Sequence, residues 1–197
     1  VSGTAVYTSD IQLPGMAYAK ILRSPVAHAR LTRVDASRAK AMPGVEGVVR
    51  IRDHAVAVVA ADTWSAMTAA ARLSLKAELM DSPPPDTAAL FSAWREALDD
   101  PEPAVFRQDG DAAMALSAAG APLEAIYELP YLAHVCMEPM NCTALAANGQ
   151  VTLWVGTQAE SIARDVAADV AGVGASDVTV HRTFMGGGFG RRAEMDF

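Results

Sequence analysis

Short apolar runs separated by turn residues make up the first eighty residues of the chain. Runs of four to eight apolar and β-branched residues between turn signals are typical of strands. Pro14-Gly15 and Pro43-Gly44 supply two of the turns. The predicted strands are Met16 to Leu22, Ala29 to Val34, Val45 to Ile51 and Val56 to Ala60. The pattern therefore predicts a compact mixed α/β unit.

Two helices are predicted within the same unit. The segment from Asp35 to Met42 suits a short helix with Asp35 as its N-cap, because a carboxylate there accepts from free amides of the first turn. Asp62 or Thr63 is placed to cap a longer helix. The apolar spacing of that helix continues through Trp64, Met67, Ala71 and Leu75.

A proline run at 83–85 interrupts the pattern. Each proline lacks an amide donor and restrains the preceding residue to extended backbone, so no helix continues through it. Residues 86–121 are rich in alanine and only weakly patterned. We therefore predict an α/β domain over 1–80, a linker of connecting helices over 81–122 and a second domain over 123–197.

The pattern sharpens again after residue 122. A strand is predicted from Leu123 through Tyr127, and Asn148-Gly149 predicts a hairpin turn before a strand from Val151 to Val155. A helix follows, with apolar residues at helical spacing, and then a strand from Val178 to Phe184. The apolar helical positions are Ile162, Val166, Val170 and Val173. This strand–helix–strand unit leads directly into glycines.

Composition excludes several classes of partner. The net charge is -7 with no basic cluster, which gives no electrostatic footprint for nucleic acid. No apolar run reaches the roughly 20 residues of a membrane span. Two cysteines are too few to hold an iron–sulfur cluster, so any electron-transfer centre must lie elsewhere. Both ends of the sequence look cut, so we expect a piece of a longer chain, and the absence of a signal peptide says little about localisation.

The most informative segment runs from Met185 to Arg192, directly after a predicted strand. Glycine occupies four of the five positions from 186 to 190. Backbone without side chains approaches a ligand closely, and its amides are free to donate to oxygens or ring heteroatoms. Arg191 and Arg192 offer forked donors for phosphate. A glycine-rich turn with two solvated arginines is the alternative. The spacing matches neither a P-loop nor a Rossmann fingerprint.

Gly186-Gly-Gly-Phe-Gly190, preceded by Gly156-Thr-Gln158, resembles the pterin-binding motifs of the xanthine dehydrogenase and aldehyde oxidase family. The resemblance implies that the Gln158 amide lies beside the molybdenum oxo group. It also implies that the glycine loop flanks the metal and its pterin. The predicted cofactor-binding residues are Gln158, Gly186, Gly187, Gly188, Phe189, Gly190, Arg191 and Arg192.

Other motifs extend the resemblance over most of the chain. Arg191-Arg192 stands where xanthine and aldehyde oxidases usually have a small residue and a lysine. With the segment 130–144 it is similar to the isoquinoline 1-oxidoreductase beta-subunit group. Segments 7–10, 13–16 and 23–26 resemble the family's hammerhead domain. The implied fold class is α+β, an α/β hammerhead domain followed by the first part of the molybdopterin-binding domain.

His134 and Glu138 stand four residues apart, but Pro130 and Pro139 argue against a helix that would pair them on a metal. In the family, molybdenum is held by the pterin dithiolene and not by side chains. We interpret the two residues as candidate substrate-pocket groups, with a structural role equally open. Cys136 and Cys142 are typical of small buried hydrophobic residues.

The resemblance implies a molybdenum hydroxylase that oxidises an N-heterocycle or an aldehyde. It implies molybdopterin cytosine dinucleotide as cofactor and a small [2Fe-2S] subunit as partner. The family's general base is a glutamate far downstream, so no catalytic residue is assigned here, and the chain alone is expected to be inactive. The alternative is a non-catalytic module that binds a phosphate-bearing ligand or serves assembly.

Overall fold

The structure, a computed structural model, describes residues 2–24, 29–79 and 86–197. The chain forms two compact units, one of residues from Ala17–Tyr131 and one that combines residues from Val1–Met16 and Leu132–Phe197. The proline run at 83–85 lies outside the described residues. The domain bounds at 80 and 122 therefore stay a prediction.

The unit Ala17–Tyr131 contains two small antiparallel sheets. Strands β1 (Tyr18–Arg23), β4 (Ala55–Ala60) and β3 (Val45–Ile51) form one sheet with β4 in the middle. Strands β2 (Ala29–Asp35) and β5 (Ser74–Leu79) form the other. Because β4 is bordered on both sides, nearly all of its residues are buried. The four strands predicted from the apolar runs are confirmed, within two residues at their ends.

Two helices complete the core of this unit. The N-cap of the short α1 (Ser37–Lys40) is Ala36 and not the predicted Asp35. The Asp35 side chain instead accepts from the amide and hydroxyl of Ser37, the first residue of the helix. The helix α2 (Thr63–Ala70) is capped by Asp62, one of its two predicted caps. Small side chains let the helices lie close to the sheet, and the core consists of Ala39, Val58, Ala69 and Ala70.

Two predicted elements of this unit are wrong. Helix α2 stops at Ala70, and Leu75 lies in β5, where it pairs with Val34. The apolar spacing also fits a strand, and pairing with β2 decides between them. The predicted strand at 123–127 is irregular backbone. Leu123 and Tyr127 are 99% and 87% exposed, so no described element covers the segment.

Helices α3 (Thr87–Leu98) and α4 (Ala112–Ala118) occupy the predicted connection. Asp86 and Asp111 cap them by accepting from amides of the first turn. No residue of α3 or α4 is buried. This exposure explains the weak apolar pattern between 86 and 121.

The other unit is built on a three-stranded sheet. Strands β6 (Cys142–Ala147) and β7 (Gln150–Val155) form the predicted hairpin, with Asn148 and Gly149 both at positive φ as its turn requires. Helix α5 (Glu160–Ala171) connects β7 to β8 (Val178–Arg182), which pairs with β7 in parallel. The core between sheet and helix consists of Val151, Leu153, Val155, Ala168 and Val178.

Across the three described ranges, no helix is both long enough and apolar enough to cross a membrane.

Candidate functional site

The parallel pairing of β7 and β8 brings two turns to one edge of the sheet. Gly156-Thr-Gln158 follows β7, and the glycine loop, defined as Gly186–Gly190, follows β8 after a short extension. The carboxyl ends of parallel strands are where α/β units commonly bind ligands. The two sequence motifs are therefore neighbours in space.

The extension of β8 is held from both sides before it reaches the loop. The Thr183 amide donates to the Val155 carbonyl at 3.2 Å, and the Phe184 amide donates to the Val6 carbonyl at 3.1 Å. The hydroxyls of Thr8 and Thr183 are hydrogen-bonded at 2.8 Å. Thr8 is 1% exposed. These contacts fix where the glycine loop begins.

Gln158 contacts the loop with its side chain and its backbone. The Gly190 amide donates to Gln158 Oε1 at 3.0 Å, and the Gln158 amide donates to the Arg192 carbonyl at 3.0 Å. The first bond fixes which end of the side-chain amide is oxygen. Gln158 Nε2 contacts no acceptor within the described ranges. Both of its N–H groups are left for a ligand.

Three residues of the loop have a positive φ, a backbone conformation that favours glycine. Gly187, Phe189 and Gly190 have φ of 100°, 54° and 90°. Among the described residues, the amides of Gly187, Gly188 and Phe189 donate to no protein group. Consecutive free amides at such φ values form a concave cradle for anionic or electron-rich atoms.

A side chain on Gly186 or Gly188 would come too close to a neighbouring residue. A Cβ on Gly186 would collide with Glu138 Cβ and lie 3.1 Å from its backbone nitrogen. A Cβ on Gly188 would lie 2.7 Å from Gln158 Oε1. These close approaches explain the glycines better than a free surface turn does.

Arg192 is fully buried, although the sequence suggested a solvated or phosphate-binding side chain. Its guanidinium donates to the carbonyls of Gly187 at 2.7 Å, Gly156 at 3.1 Å and Glu138 at 3.1 Å. It also pairs with Glu138 Oε2 at 2.7 Å. The structure thus commits Arg192 to protein acceptors, and its predicted role as a direct phosphate contact stays a prediction.

Arg191 is more accessible and pairs with Asp196. Both terminal nitrogens of Arg191 donate to the Asp196 carboxylate, at 2.7 and 2.8 Å. The hydrogen bond that Arg191 donates to Asp196 raises the pKa of Arg191, so this side chain stays charged. A phosphate that displaced Asp196 would meet the same fork of donors.

A cleft of about 270 Å³ lies beside the loop and is lined by His134, Cys136, Glu138 and Arg191, among others. Cys136 Sγ lies 3.5 Å from the Gly188 carbonyl, and its thiol donates there. His134 is exposed, whereas Glu138 is turned to Arg192. The substrate-pocket role proposed for His134 and Glu138 stays a prediction.

The sequence did not single out Thr157 or Asn141. Thr157 is 1% exposed, and its hydroxyl donates to the Arg192 carbonyl at 3.0 Å. Asn141 donates to Glu138 Oε1 at 3.2 Å, and its own Oδ1 is buried without a partner in the described part of the chain. A polar residue directly after a buried strand was the available signal for Thr157. Asn141 carried none.

The site fits a pterin cofactor and does not resemble a protein metal centre. Three free amides and the Gln158 Nε2 group are donors without charge, which suit ring heteroatoms and oxo or phosphate oxygens. Residues 2–24, 29–79 and 86–197 include no cluster of three His, Cys, Asp or Glu side chains that would hold a metal.

Comparison with protein families agrees with this geometry. The molybdopterin cofactor-binding domain model matches residues 98–196, half of the chain. The chain belongs to that family. The aldehyde oxidase and xanthine dehydrogenase a/b hammerhead domain model matches residues 2–54. The predicted family and α+β fold class are confirmed.

Relatives with curated functions are longer than this chain. Isoquinoline 1-oxidoreductase subunit beta of Brevundimonas diminuta is 30% identical over 98% of the chain and 26% of its own length. The nicotinate dehydrogenase large molybdopterin subunit of Eubacterium barkeri is 28% identical over 99% of the chain and 53% of its own length. The chain thus spans about a quarter to a half of these relatives.

Solved structures share the fold. Quinoline 2-oxidoreductase from Pseudomonas putida 86 aligns with a TM-score of 0.70 at 22% identity, over 98% of this chain and 30% of that one. Aldehyde oxidoreductase from Desulfovibrio gigas aligns with a TM-score of 0.73 at 18% identity, over 98% of this chain and 26% of that one.

Proposed function

We propose that this chain is part of the large subunit of a molybdenum hydroxylase, and that the edge formed by Gln158 and the glycine loop binds the pterin end of its cofactor. The observation that carries the proposal is the row of free amides at Gly187, Gly188 and Phe189, next to the free Nε2 group of Gln158. The proposed substrate is an N-heterocycle or an aldehyde, because the named relatives act on such compounds.

The bound cofactor would supply the redox chemistry, by which a carbon gains an oxygen derived from water while two electrons and two protons leave. The chain itself would bind the cofactor and orient it. The loop amides would donate to heteroatoms of the bound cofactor, and Gln158 Nε2 would offer it a hydrogen bond without adding charge. Gln158 is already oriented by the Gly190 amide, so little reorganisation is needed at each turnover. No carboxylate of this chain is assigned as general base.

The phosphate end of the cofactor is proposed to lie toward Arg191 and Arg192. Arg191 is the better direct contact because its side chain is partly accessible and a phosphate would take the place of its partner Asp196. Arg192 contributes through the loop carbonyl that it binds. Molybdopterin cytosine dinucleotide as the particular cofactor, and a small [2Fe-2S] subunit as electron acceptor, belong to the same proposal.

The domain assignment is proposed on the same basis. A hammerhead-like domain would occupy most of 1–80, a connection 81–122, and the first part of the cofactor-binding domain 123–197. The family matches at 2–54 and 98–196 support this order of domains.

The test is cofactor analysis of the full-length protein, purified with any copurifying subunit. We expect about one molybdenum and one pterin per large subunit, with cytosine released on hydrolysis. A panel of N-heterocycles and aldehydes, assayed with an artificial electron acceptor, then identifies the substrate class. Protein that contains no molybdenum and binds phosphate-bearing ligands instead would support the binding-module alternative.

A further inference from the structure

Arg192 joins three segments that are distant in sequence. Its Nη1 donates to the Gly156 carbonyl in the turn after β7, and its Nε donates to the Gly187 carbonyl within the glycine loop. Its Nη2 donates to the Glu138 carbonyl and carboxylate. Four of the five N–H groups of a guanidinium are thus accounted for.

Glu138 holds the same loop from the other side. Its Oε2 accepts from the Gly186 amide at 2.9 Å as well as from Arg192, and its backbone amide donates to the Gly186 carbonyl at 3.1 Å. Asn141 donates to Oε1. Both oxygens of the carboxylate are used. Gly186 lies so close that no side chain fits there.

We infer that Glu138 and Arg192 are positioning residues, a buried ion pair that sets the conformation of the glycine loop and thereby the alignment of its free amides. The inference rests on the proposed function, since it states how this site is shaped for its cofactor. It assigns Glu138 to the loop and not to a substrate.

Burial separates this role from direct binding. The side chains of Arg192 and Glu138 are 0% and 10% exposed, and their polar atoms already have protein partners. A ligand therefore meets the loop rather than the paired carboxylate and guanidinium, although Glu138 also lines the adjacent cleft. Removing water from two charges costs about as much as their attraction returns, so a buried pair adds little net stability. What it provides is one defined arrangement of the groups bound to it.

The experiment uses full-length protein with and without cofactor. Arg192→Met removes the donors, Glu138→Gln removes the charge, and Arg192→Lys keeps the charge but cannot reach all three segments. Arg164→Met is the matched control, because Arg164 pairs with Asp165 on the exposed face of α5. Hydrogen exchange of the Gly186 and Gly190 amides is measured in cofactor-free protein, and molybdenum content in loaded protein.

We expect these two amides to exchange at least tenfold faster in Arg192→Met and Glu138→Gln, with Arg192→Lys intermediate and the control unchanged. Molybdenum content should fall in the same order. Unchanged exchange in Arg192→Lys and Glu138→Gln would overturn the inference, even if Arg192→Met fails to fold.

The double variant Glu138→Gln with Arg192→Met separates positioning from general stability. With no uncompensated charge, it should recover much of the melting temperature lost in the single variants, yet its loop exchange should stay fast. Recovery of slow exchange together with stability would contradict a positioning role. If wild-type protein contains no molybdenum, the proposed cofactor fails, while the exchange results still decide the role of the pair.

Discussion

Two turns that lead from a strand into a helix, one from each unit, satisfy their polar groups in different ways. Between β4 and α2, Asp62 accepts from the amide and hydroxyl of Ser65 at 2.8 and 2.7 Å. Between β7 and α5, the N-cap Ala159 has no side chain that can cap, and Thr157 and Gln158 bind Arg192 and Gly190 instead. The hydrogen bonds of Asp62 join residues 3 apart and stabilise the scaffold. The side-chain bonds from Thr157 to Arg192 and between Gln158 and Gly190 join residues 35 and 32 apart and shape the site.

The largest expected effect comes from Gly186→Ala, which disrupts the glycine loop at its closest approach to Glu138. The added Cβ meets the Glu138 backbone, which cannot move aside without shifting the loop. We expect about 1–3 kcal/mol of destabilisation from overpacking and loss of most molybdenum from full-length protein. Thermal unfolding and metal analysis measure both.

Gly120→Ala is the control for that change, because a Cβ there meets nothing within 4 Å. It should leave the melting temperature and the molybdenum content unchanged. Full molybdenum content in Gly186→Ala would show that the close approach to Glu138 does not matter for the cofactor.

Gln158→Ala tests the turn between β7 and α5 without adding a side chain that crowds it. Removing one preorganised hydrogen-bond donor to an oxygen atom whose charge changes during the reaction raises the activation barrier by roughly 3 kcal/mol. The reaction then slows about a hundredfold. We therefore expect cofactor retention with slow single-turnover reduction. Gln150→Ala, at the opposite end of β7, is the matched control and should turn over normally. Cofactor-free Gln158→Ala protein would instead make Gln158 a binding residue.

A smaller effect is expected for Gly188→Ala, which shifts Gln158 without removing it. The new Cβ lies 2.7 Å from Gln158 Oε1, the end of a side chain that can rotate away. The rate should fall by less than in Gln158→Ala, with the melting temperature nearly unchanged. A combined variant that is no slower than Gln158→Ala alone would show that both changes act through the same amide.

The smallest effect, on stability alone, is expected for replacement of Asp62 in the turn between β4 and α2. Hydrogen bonds from the Ser65 amide and then its hydroxyl lower the pKa of Asp62 below its ordinary value of 3.8. The stability that this carboxylate contributes is present above that value, and it is lost as the pH falls through the lowered folded value. Asp62→Ala should lower the melting temperature at neutral pH without altering molybdenum content.

Asp62→Asn is the control for the charge of Asp62, because asparagine also caps helices but is uncharged. The difference in melting temperature between wild type and Asp62→Ala should narrow as the pH falls below about 3.8. A difference that is independent of pH would mean that the charge of Asp62 plays no part.

The sequence predicted the features that depend on local pattern. Apolar periodicity predicted β3 and the helix through Val166, and Asn148-Gly149 predicted the hairpin. The strand at 123–127 failed because apolar composition alone does not supply a pairing partner. The burial of Arg192 was not predictable, since its acceptors on Glu138 lie 54 residues away and no local pattern encodes that contact. The motifs identified the site, but its internal contacts required coordinates.

The hydrogen bond between Thr8 and Thr183 spans 175 residues. Contacts of such long separation form late in folding, because the entropy of closing a long loop is lost before the contact is gained. On the ribosome, Thr8 would leave the exit tunnel long before its partner is synthesised. We therefore expect the glycine loop to acquire its shape only after residues 183–192 have emerged, so that loading of the cofactor follows translation of this region.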